Sequence, residues 1–287
     1  MTALESSSDV ICREGITYCD RGGTELRGDL YLPAGNGPFP VLIGVPGGGW
    51  RTCVRASLRD WGFYLAARGY GLFAIDYRLA TGVRKAFPEA VQDVLAAVRF
   101  IRSLGARRSI DPSRIGLLGA SAGAHLAALA AFGGDSAALG AAGHDASGAA
   151  PAHVKALIAV CGVYDLFRHW QDDLGRTPEP QWNIARNFIG EDPYENQRAY
   201  FDASPLRHLS YQKNQIPVLV SWSTTDDVVD PAQSESFVRA LQQSRFTVRT
   251  HRVLGASHFW FGEPLQDAST AAASFAPRLM QFLDFAL

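Results

Sequence analysis

Short, continuous runs of apolar residues alternate along this chain with stretches in which apolar residues recur every three or four positions. The continuous runs are typical of strands buried on both faces, and they lie at 41–45, 70–77, 114–118, 154–160 and 218–221. The stretches with helical spacing lie between them, at 58–68 and 88–104. Because strands and helices alternate, we expect an α/β fold with a mostly parallel sheet and helices on both faces.

Three segments depart from this alternation. Residues 15–18 and 26–32 flank the Arg21-Gly22-Gly23 turn and predict an early antiparallel hairpin. Residues 133–151 are rich in Gly, Ala and Ser, which predicts a surface excursion. Residues 164–215, here called the inserted segment, separate two predicted strands and are rich in aromatic residues. We expect a helical cap over a functional site; a peripheral elaboration without substrate contact is the alternative.

Composition narrows the class of protein. The chain has 287 residues, of which 47% are hydrophobic and 19% charged, so it can bury the core of a single α/β domain spanning 1–287. Its formal net charge of −1 gives no broad attraction for nucleic acid or for an anionic membrane surface. We therefore expect neither as a partner, and the possibility of a homo-oligomer stays open.

The cysteines and the N-terminus give no sign of export or of a metal site. Cys12, Cys19, Cys53 and Cys161 are dispersed without CxxC pairing or ligand spacing, so we expect reduced thiols and no metal. The polar N-terminus does not resemble a signal peptide, and no apolar run reaches the roughly 20 residues that span a bilayer. We expect a soluble, cytoplasmic protein.

The pentapeptide Gly119-Ala120-Ser121-Ala122-Gly123 directly follows a predicted strand and directly precedes a predicted helix. In this context GxSxG predicts a nucleophile elbow, a sharp turn in which side chains at the two glycines would collide with backbone. The serine oxygen then projects near a helix N-terminus, where developing negative charge is favoured. Ser121 is our candidate nucleophile.

A serine nucleophile needs a histidine base that is oriented by a carboxylate, and in this fold the chain order is Ser, acid, His. Of the seven histidines, His258 fits best because it lies in a small-residue loop after a predicted strand. We expect His169 to be a surface or structural residue. Asp226 is the candidate acid, with Asp227 second, whereas a turn or capping role explains Asp230 before Pro231.

Acyl transfer also needs backbone N–H donors for the oxyanion. Ala122, which follows the nucleophile, is expected to provide one donor. The glycine run after the 41–45 strand is expected to provide the other, through Gly48 and Gly49.

Several motifs in the right order resemble the α/β-hydrolase carboxylesterases related to hormone-sensitive lipase and to the bacterial BD-FAE esterases. They cover nearly the whole chain and lie at 38–40, 47–50, 76–80, 87–90 with Asp93, 119–127, 203–205, 226–229 and 255–258. The resemblance implies Ser121, Asp226 and His258 as a triad, with Tyr77, Arg78 and His125 as structural support for the glycine loop and elbow. Pro46 and Trp222 depart from the family pattern, which usually has histidine at both positions.

The expected reaction is hydrolysis of a small or medium acyl or aryl ester through an acyl-enzyme, with no cofactor. The same triad is compatible with an amidase, including a formamidase-like activity, with a lactonase or with a transacylase. A binding protein on a hydrolase scaffold is a further alternative. Because they flank the catalytic loops or lie in the inserted segment, Trp50, Trp182 and Trp260 are expected to shape a hydrophobic substrate pocket.

Overall fold

The structure, a computed structural model, describes residues 9–136, 139, 152–176 and 179–287. Its strands are β1 Val10–Asp20, β2 Glu25–Pro33, β3 Phe39–Val45, β4 Gly71–Ile75, β5 Ile110–Ala120, β6 Leu157–Val160, β7 Val218–Ser223 and β8 Val248–Val253. They form one eight-stranded sheet in the order β1-β2-β4-β3-β5-β6-β7-β8. Five of the seven strand pairs are parallel, and only β1·β2 and β2·β4 are antiparallel. The predicted mostly parallel sheet is therefore confirmed.

Helices cover both faces of the sheet. They are α1 Arg59–Ala66, α2 Glu89–Leu104, α3 Ala122–Gly133, α4 Leu166–Arg176, α5 Ile184–Ile189, α6 Gln197–Asp202, α7 Ala232–Gln243 and α8 Ala271–Ala286. Every residue of β4, β6 and β7 is buried. Because successive side chains of a strand point to opposite faces, complete burial requires packing on both sides.

The N-terminal hairpin is longer than predicted. It pairs β1 with β2 up to Asp20 opposite Glu25, across a turn in which the Arg21 N–H donates to the Thr24 carbonyl oxygen at 3.0 Å. Most β1 residues are exposed or half-buried. An edge strand of this kind does not need an apolar run, so hydrophobic pattern does not mark its ends.

The described part of the inserted segment contains α4, α5 and α6 together with short 3₁₀ turns. Its buried residues, among them Tyr164, Phe188 and Tyr200, are continuous with the core around the sheet. Most of the surface excursion predicted at 133–151 lies outside the described residues. Among the described residues, no helix combines the length and apolar character needed to cross a bilayer.

Candidate active site

Ser121 lies in the turn between the end of β5 and the start of α3. Its backbone has φ 53° and ψ −123°, a conformation that residues with side chains rarely adopt. The Ser121 N–H donates to the Val160 carbonyl oxygen of β6 at 2.8 Å, which anchors the turn to the sheet. The strand, turn and helix predicted around Ser121 are all present.

Both glycines of the elbow are required by close backbone packing. A Cβ atom on Gly123 would lie 2.0 Å from the Val45 carbonyl oxygen, and one on Gly119 would lie 2.3 Å from the Gly123 carbonyl oxygen. Real Cβ contacts are never that short, so the GxSxG pattern reports how tightly α3 meets β3 and β5. The collision expected from the sequence is confirmed.

We expect Gly123→Ala to lower the free energy of unfolding by about 3 kcal/mol or more, because the obstructing atoms belong to backbone that cannot rotate away. Gly82→Ala is the matched control, since a Cβ at Gly82 meets nothing within 4 Å. Its effect should stay below about 1 kcal/mol. Urea unfolding of both variants measures the difference, and equal free energies of unfolding would contradict the packing argument.

Three side chains from separate loops meet at the elbow. His258 Nε2 lies 2.8 Å from Ser121 Oγ, and His258 Nδ1 lies 2.9 and 2.8 Å from Asp226 Oδ1 and Oδ2. His258 and Asp226 are both buried. With Nδ1–H donated to the carboxylate, Nε2 is left as an acceptor for the serine hydroxyl proton. This arrangement can activate an oxygen nucleophile.

Asp226 is held as a carboxylate. Burial acts to raise its pKa, but the hydrogen bond and charge of His258 and the amides of Val228 and Val229 outweigh burial and lower the pKa. Both amides donate to Oδ1, at 2.9 and 2.8 Å. An ionised carboxylate in this position stabilises an imidazolium on His258.

The neighbouring acids have different partners. Asp227, the second candidate, accepts the backbone N–H of His258 at 3.1 Å through Oδ1. Asp230 accepts the Ala232 N–H at 2.8 Å at the start of α7, in agreement with its predicted turn role. Among the described acids, Asp226 alone is hydrogen-bonded to the His258 ring.

The glycine loop after β3 lies against the elbow. Gly48 and Gly49 have φ values of 130° and 57°, and a Cβ on Gly48 would lie 2.2 Å from the Thr52 carbonyl oxygen. Together with Ala122, they border the same cavity as Ser121. The Ala122 amide opens α3, where backbone N–H groups have no acceptor within the helix. The oxyanion role of these three amides stays a prediction.

The loop is tied down although Pro46 offers no imidazole. The Tyr77 hydroxyl donates to the Pro46 carbonyl oxygen at 3.0 Å. The next residue, Arg78, forms an ion pair with fully buried Asp93 of α2, with 2.7 Å between Nη2 and Oδ1. These contacts agree with the structural role that the motifs implied for Tyr77 and Arg78.

His125 connects the glycine loop to the inserted segment. Its Nδ1 accepts the Trp50 indole N–H at 3.1 Å, and its Nε2 lies 2.7 Å from the Ala203 carbonyl oxygen. Burial lowers the pKa of His125 to about 3, so the ring is neutral at pH 7. A neutral ring with Nε2–H satisfies both partners at once.

The triad opens into a cavity of about 610 Å³, a size suited to a small organic ligand. Apolar side chains from the sheet edge, the glycine loop and the inserted segment contribute much of its wall. They include Trp50, Leu58, Val160, Val163, Ile184, Val228, Val229, Phe259 and Phe261.

Two of the three tryptophans predicted to bind substrate do not border this cavity. Trp50 does. Trp260 is fully buried, and its indole N–H donates to Cys161 Sγ at 3.1 Å, so it belongs to the core. Trp182 is 59% exposed on the inserted segment. The prediction of a pocket role was therefore wrong for Trp182 and for Trp260. A residue's position along the chain does not fix the direction of its side chain.

His169 and Cys161 border the cavity, although sequence reasoning gave neither a place there. Leu166, His169 and Trp170 share the buried face of α4, so the helical spacing carried a signal for His169. Cys161 Sγ lies within 4.8 Å of ligand atoms of Asp226 and His258. Burial, followed by the charge of Asp226, raises the pKa of Cys161 to about 12, and a protonated thiol is a poor metal ligand.

Comparison with known proteins identifies the same family that the sequence motifs resemble. The BD-FAE family model matches residues 28–241. A probable carboxylic ester hydrolase of Mycobacterium tuberculosis, LipM, is 31% identical over 218 residues, which cover 76% of this chain and 47% of LipM. Esterase LipC of the same organism is 32% identical over 232 residues, covering 77% of this chain and 53% of LipC. This chain thus spans about half the length of both relatives.

Solved structures share the fold over nearly the whole chain. The butyrate-bound esterase Est2 of Thermogutta terrifontis superposes with a TM-score of 0.75 at 25% identity, covering 94% of this chain and 92% of Est2. An acetyl ester-xyloside bifunctional hydrolase of Caldicellulosiruptor lactoaceticus gives a TM-score of 0.76 at 19% identity, covering 94% and 95%. The predicted α/β-hydrolase fold is confirmed.

Proposed function

The chain belongs to the BD-FAE family, and from this membership and the geometry around Ser121 we propose that it is a serine hydrolase of carboxylic esters with small or medium acyl or aryl groups. The observation that carries the proposal is the continuous chain of hydrogen bonds from Ser121 Oγ through His258 to Asp226. Those bonds prepare the serine to attack a carbonyl carbon. The names of LipM and LipC, a carboxylic ester hydrolase and an esterase, support the ester as substrate class.

In the proposed reaction, Ser121 Oγ attacks the ester carbonyl carbon while His258 Nε2 takes the hydroxyl proton. The tetrahedral oxyanion is stabilised by N–H groups of the glycine loop, Gly48 and Gly49, and of Ala122. Collapse of the intermediate breaks the bond to the alcohol oxygen, and His258 returns the proton to that oxygen. Water then attacks the acyl-enzyme, with His258 acting again as base and then as acid, to release the carboxylic acid and restore Ser121.

The inserted segment is part of the same proposal, as a cap that shapes the substrate site. Its support is local: His169 of α4 and Ile184 of α5 both border the cavity. Trp182 lies on the outside of the segment, so α4 and the start of α5 are the parts that would contact substrate.

A reducing, cytoplasmic location fits the cysteines. No disulfide joins Cys12, Cys19, Cys53 or Cys161, all of which lie within the described residues. Thiols that persist unpaired are typical of proteins in reducing compartments.

The proposal is tested by a matched substrate screen. p-Nitrophenyl esters of increasing acyl length are compared with the corresponding p-nitroanilides and with N-formylkynurenine. We expect turnover of the short and medium esters, with kcat/KM for the esters well above that for the amides. Turnover of amides alone would replace the ester proposal with an amidase. No turnover together with no labelling by a fluorophosphonate would overturn the enzyme proposal.

A further inference from the structure

His169 is a buried histidine that the proposed mechanism does not use. It lies on α4, it is 1% exposed, and it borders the cavity that contains Ser121 and His258. Its ring meets the Trp50 indole edge-on, with 6.1 Å between ring centroids. The inserted segment thus places an imidazole in the wall of the proposed substrate site.

Neither nitrogen of the His169 ring has a hydrogen-bond partner among the described residues. Burial lowers the pKa of His169 to about 4, so the ring is neutral near pH 7 and carries one N–H donor and one acceptor. Leaving both unpaired in a buried position is unfavourable, and an apolar ring of similar shape would avoid that cost. A purely structural role therefore does not account for a histidine here.

The other buried histidines of the described chain, His125 and His258, have a hydrogen-bond partner for each ring nitrogen. Both nitrogens of His125 have partners, the Trp50 indole and the Ala203 carbonyl oxygen. Both nitrogens of His258 have partners in Asp226 and Ser121. His169 is the exception, and its unpaired nitrogens belong to a ring at the cavity wall.

The chemistry of the wall indicates what could pair with His169. The cavity lining includes the apolar residues Val163, Ile184 and Val229. The charges of Asp173, Arg176 and His258 also act on the His169 ring. A neutral imidazole suits an uncharged partner, because it offers a carboxylate a hydrogen bond but no positive charge of its own. Either tautomer of the ring offers an N–H, and because both nitrogens are buried, an acceptor oxygen reaches that N–H only when the cavity wall moves.

We propose that His169 is a specificity-determining residue that donates a hydrogen bond to an uncharged substrate oxygen outside the scissile carboxyl group, such as an ether or carbonyl oxygen. The inference rests on the proposed esterase function and deepens it. The proposed enzyme would then prefer esters that carry an additional ether or carbonyl oxygen over esters whose acyl and alcohol groups are hydrocarbon chains. A buried polar group built to pair with its substrate discriminates against the analogue that leaves it unpaired.

The test uses substrate pairs that differ by one atom. p-Nitrophenyl methoxyacetate and p-nitrophenyl butyrate place an ether oxygen or a methylene on the acyl side, and 2-methoxyethyl acetate and butyl acetate do so on the alcohol side. The ratio of kcat/KM for the ether to kcat/KM for the hydrocarbon is measured in the wild type and in His169→Phe. Because the inductive effect of oxygen is the same for both proteins, it cancels when the ratios are compared.

We expect His169→Phe to lower this ratio about tenfold in at least one pair, and the affected pair identifies the side of the ester that His169 contacts. His169→Gln, which keeps an N–H donor, should retain most of the preference. His251→Phe is the matched control, since His251 lies on β8 and does not border the cavity, and it should leave both ratios unchanged.

Thermal unfolding separates recognition from packing. The melting temperature of His169→Phe should equal or exceed that of the wild type, because unpaired buried polar atoms are removed. His169→Leu takes its place if the phenylalanine variant does not fold. Unchanged ratios in both pairs, with ester hydrolysis retained, overturn this inference alone. If the wild type hydrolyses none of the four esters, both the proposed function and this inference are overturned.

Discussion

Ser121→Ala is expected to lower kcat for any ester substrate by on the order of 10⁶-fold, because no other hydroxyl of the described residues is hydrogen-bonded to Nε2 of the base. The Ser121 hydroxyl lies 2.8 Å from His258 Nε2, and alanine removes the only atom that forms this contact. The alanine backbone occupies the same turn, so the melting temperature should stay close to that of the wild type. Steady-state kinetics and a thermal melt measure the two quantities.

Covalent labelling gives an independent check on the nucleophile. A fluorophosphonate probe should modify the wild type and leave Ser121→Ala unmodified. Ser57→Ala is a matched control, since Ser57 borders the same cavity and is not bonded to His258. That variant should be labelled like the wild type. Labelling of Ser121→Ala at the wild-type rate would show that a different residue is the nucleophile.

Asp226→Asn should lower kcat by on the order of 10⁴-fold while the site keeps its shape. The N–H groups of Val228 and Val229 keep the asparagine carbonyl oxygen at the Oδ1 position, so the NH₂ group takes the Oδ2 position beside Nδ1. There it can only donate, which forces the ring proton onto Nε2, the atom that must accept the serine proton. The negative charge that stabilises the imidazolium is also lost. The readout is kcat at a pH where the wild type is fully active, together with the free energy of unfolding.

Asp227→Asn separates the two candidate acids. Within the described residues, Asp227 accepts the backbone N–H of His258, and the amide oxygen of asparagine can accept the same bond. We expect a loss of kcat within about tenfold, because a neutral acceptor forms a weaker hydrogen bond than a carboxylate. Equal losses in the two variants would mean that Asp226 does not have the special role assigned to it.

The fold was largely predictable because its strands are buried on both faces. Strands such as β4 and β6 are therefore unbroken apolar runs, and GxSxG marks the turn from β5 to α3. Helix α8 was not predicted, and it contains Pro277, a residue that normally argues against a helix interior. The family indicated by the motifs is confirmed by the BD-FAE match.

The sequence indicates the triad residues of the site more directly than it indicates the residues of the cavity wall. Ser121, Asp226 and His258 occupy loops at strand ends, where chain order and local motif indicate position, and the structure brings them within hydrogen-bond distance. The cavity wall follows from side-chain directions and from the packing of the inserted segment on the sheet. The sequence therefore led us to place Trp182 and Trp260 in the pocket and His169 on the surface or in a structural role, since aromatic content alone does not distinguish an outer face from an inner one.

The hydrogen bonds of His125 set a condition for exchanging the inserted segment between relatives. A segment taken from a relative must place a carbonyl oxygen where Ala203 has one. Otherwise the Nε2–H of His125 has no acceptor, next to the Trp50 indole that His125 orients. A chimera that lacks this acceptor would misalign Trp50 and, through it, the glycine loop. The substrate preference proposed for the inserted segment would thus be transferred only together with the Ala203 carbonyl oxygen, which connects the segment through His125 to Trp50 and the glycine loop.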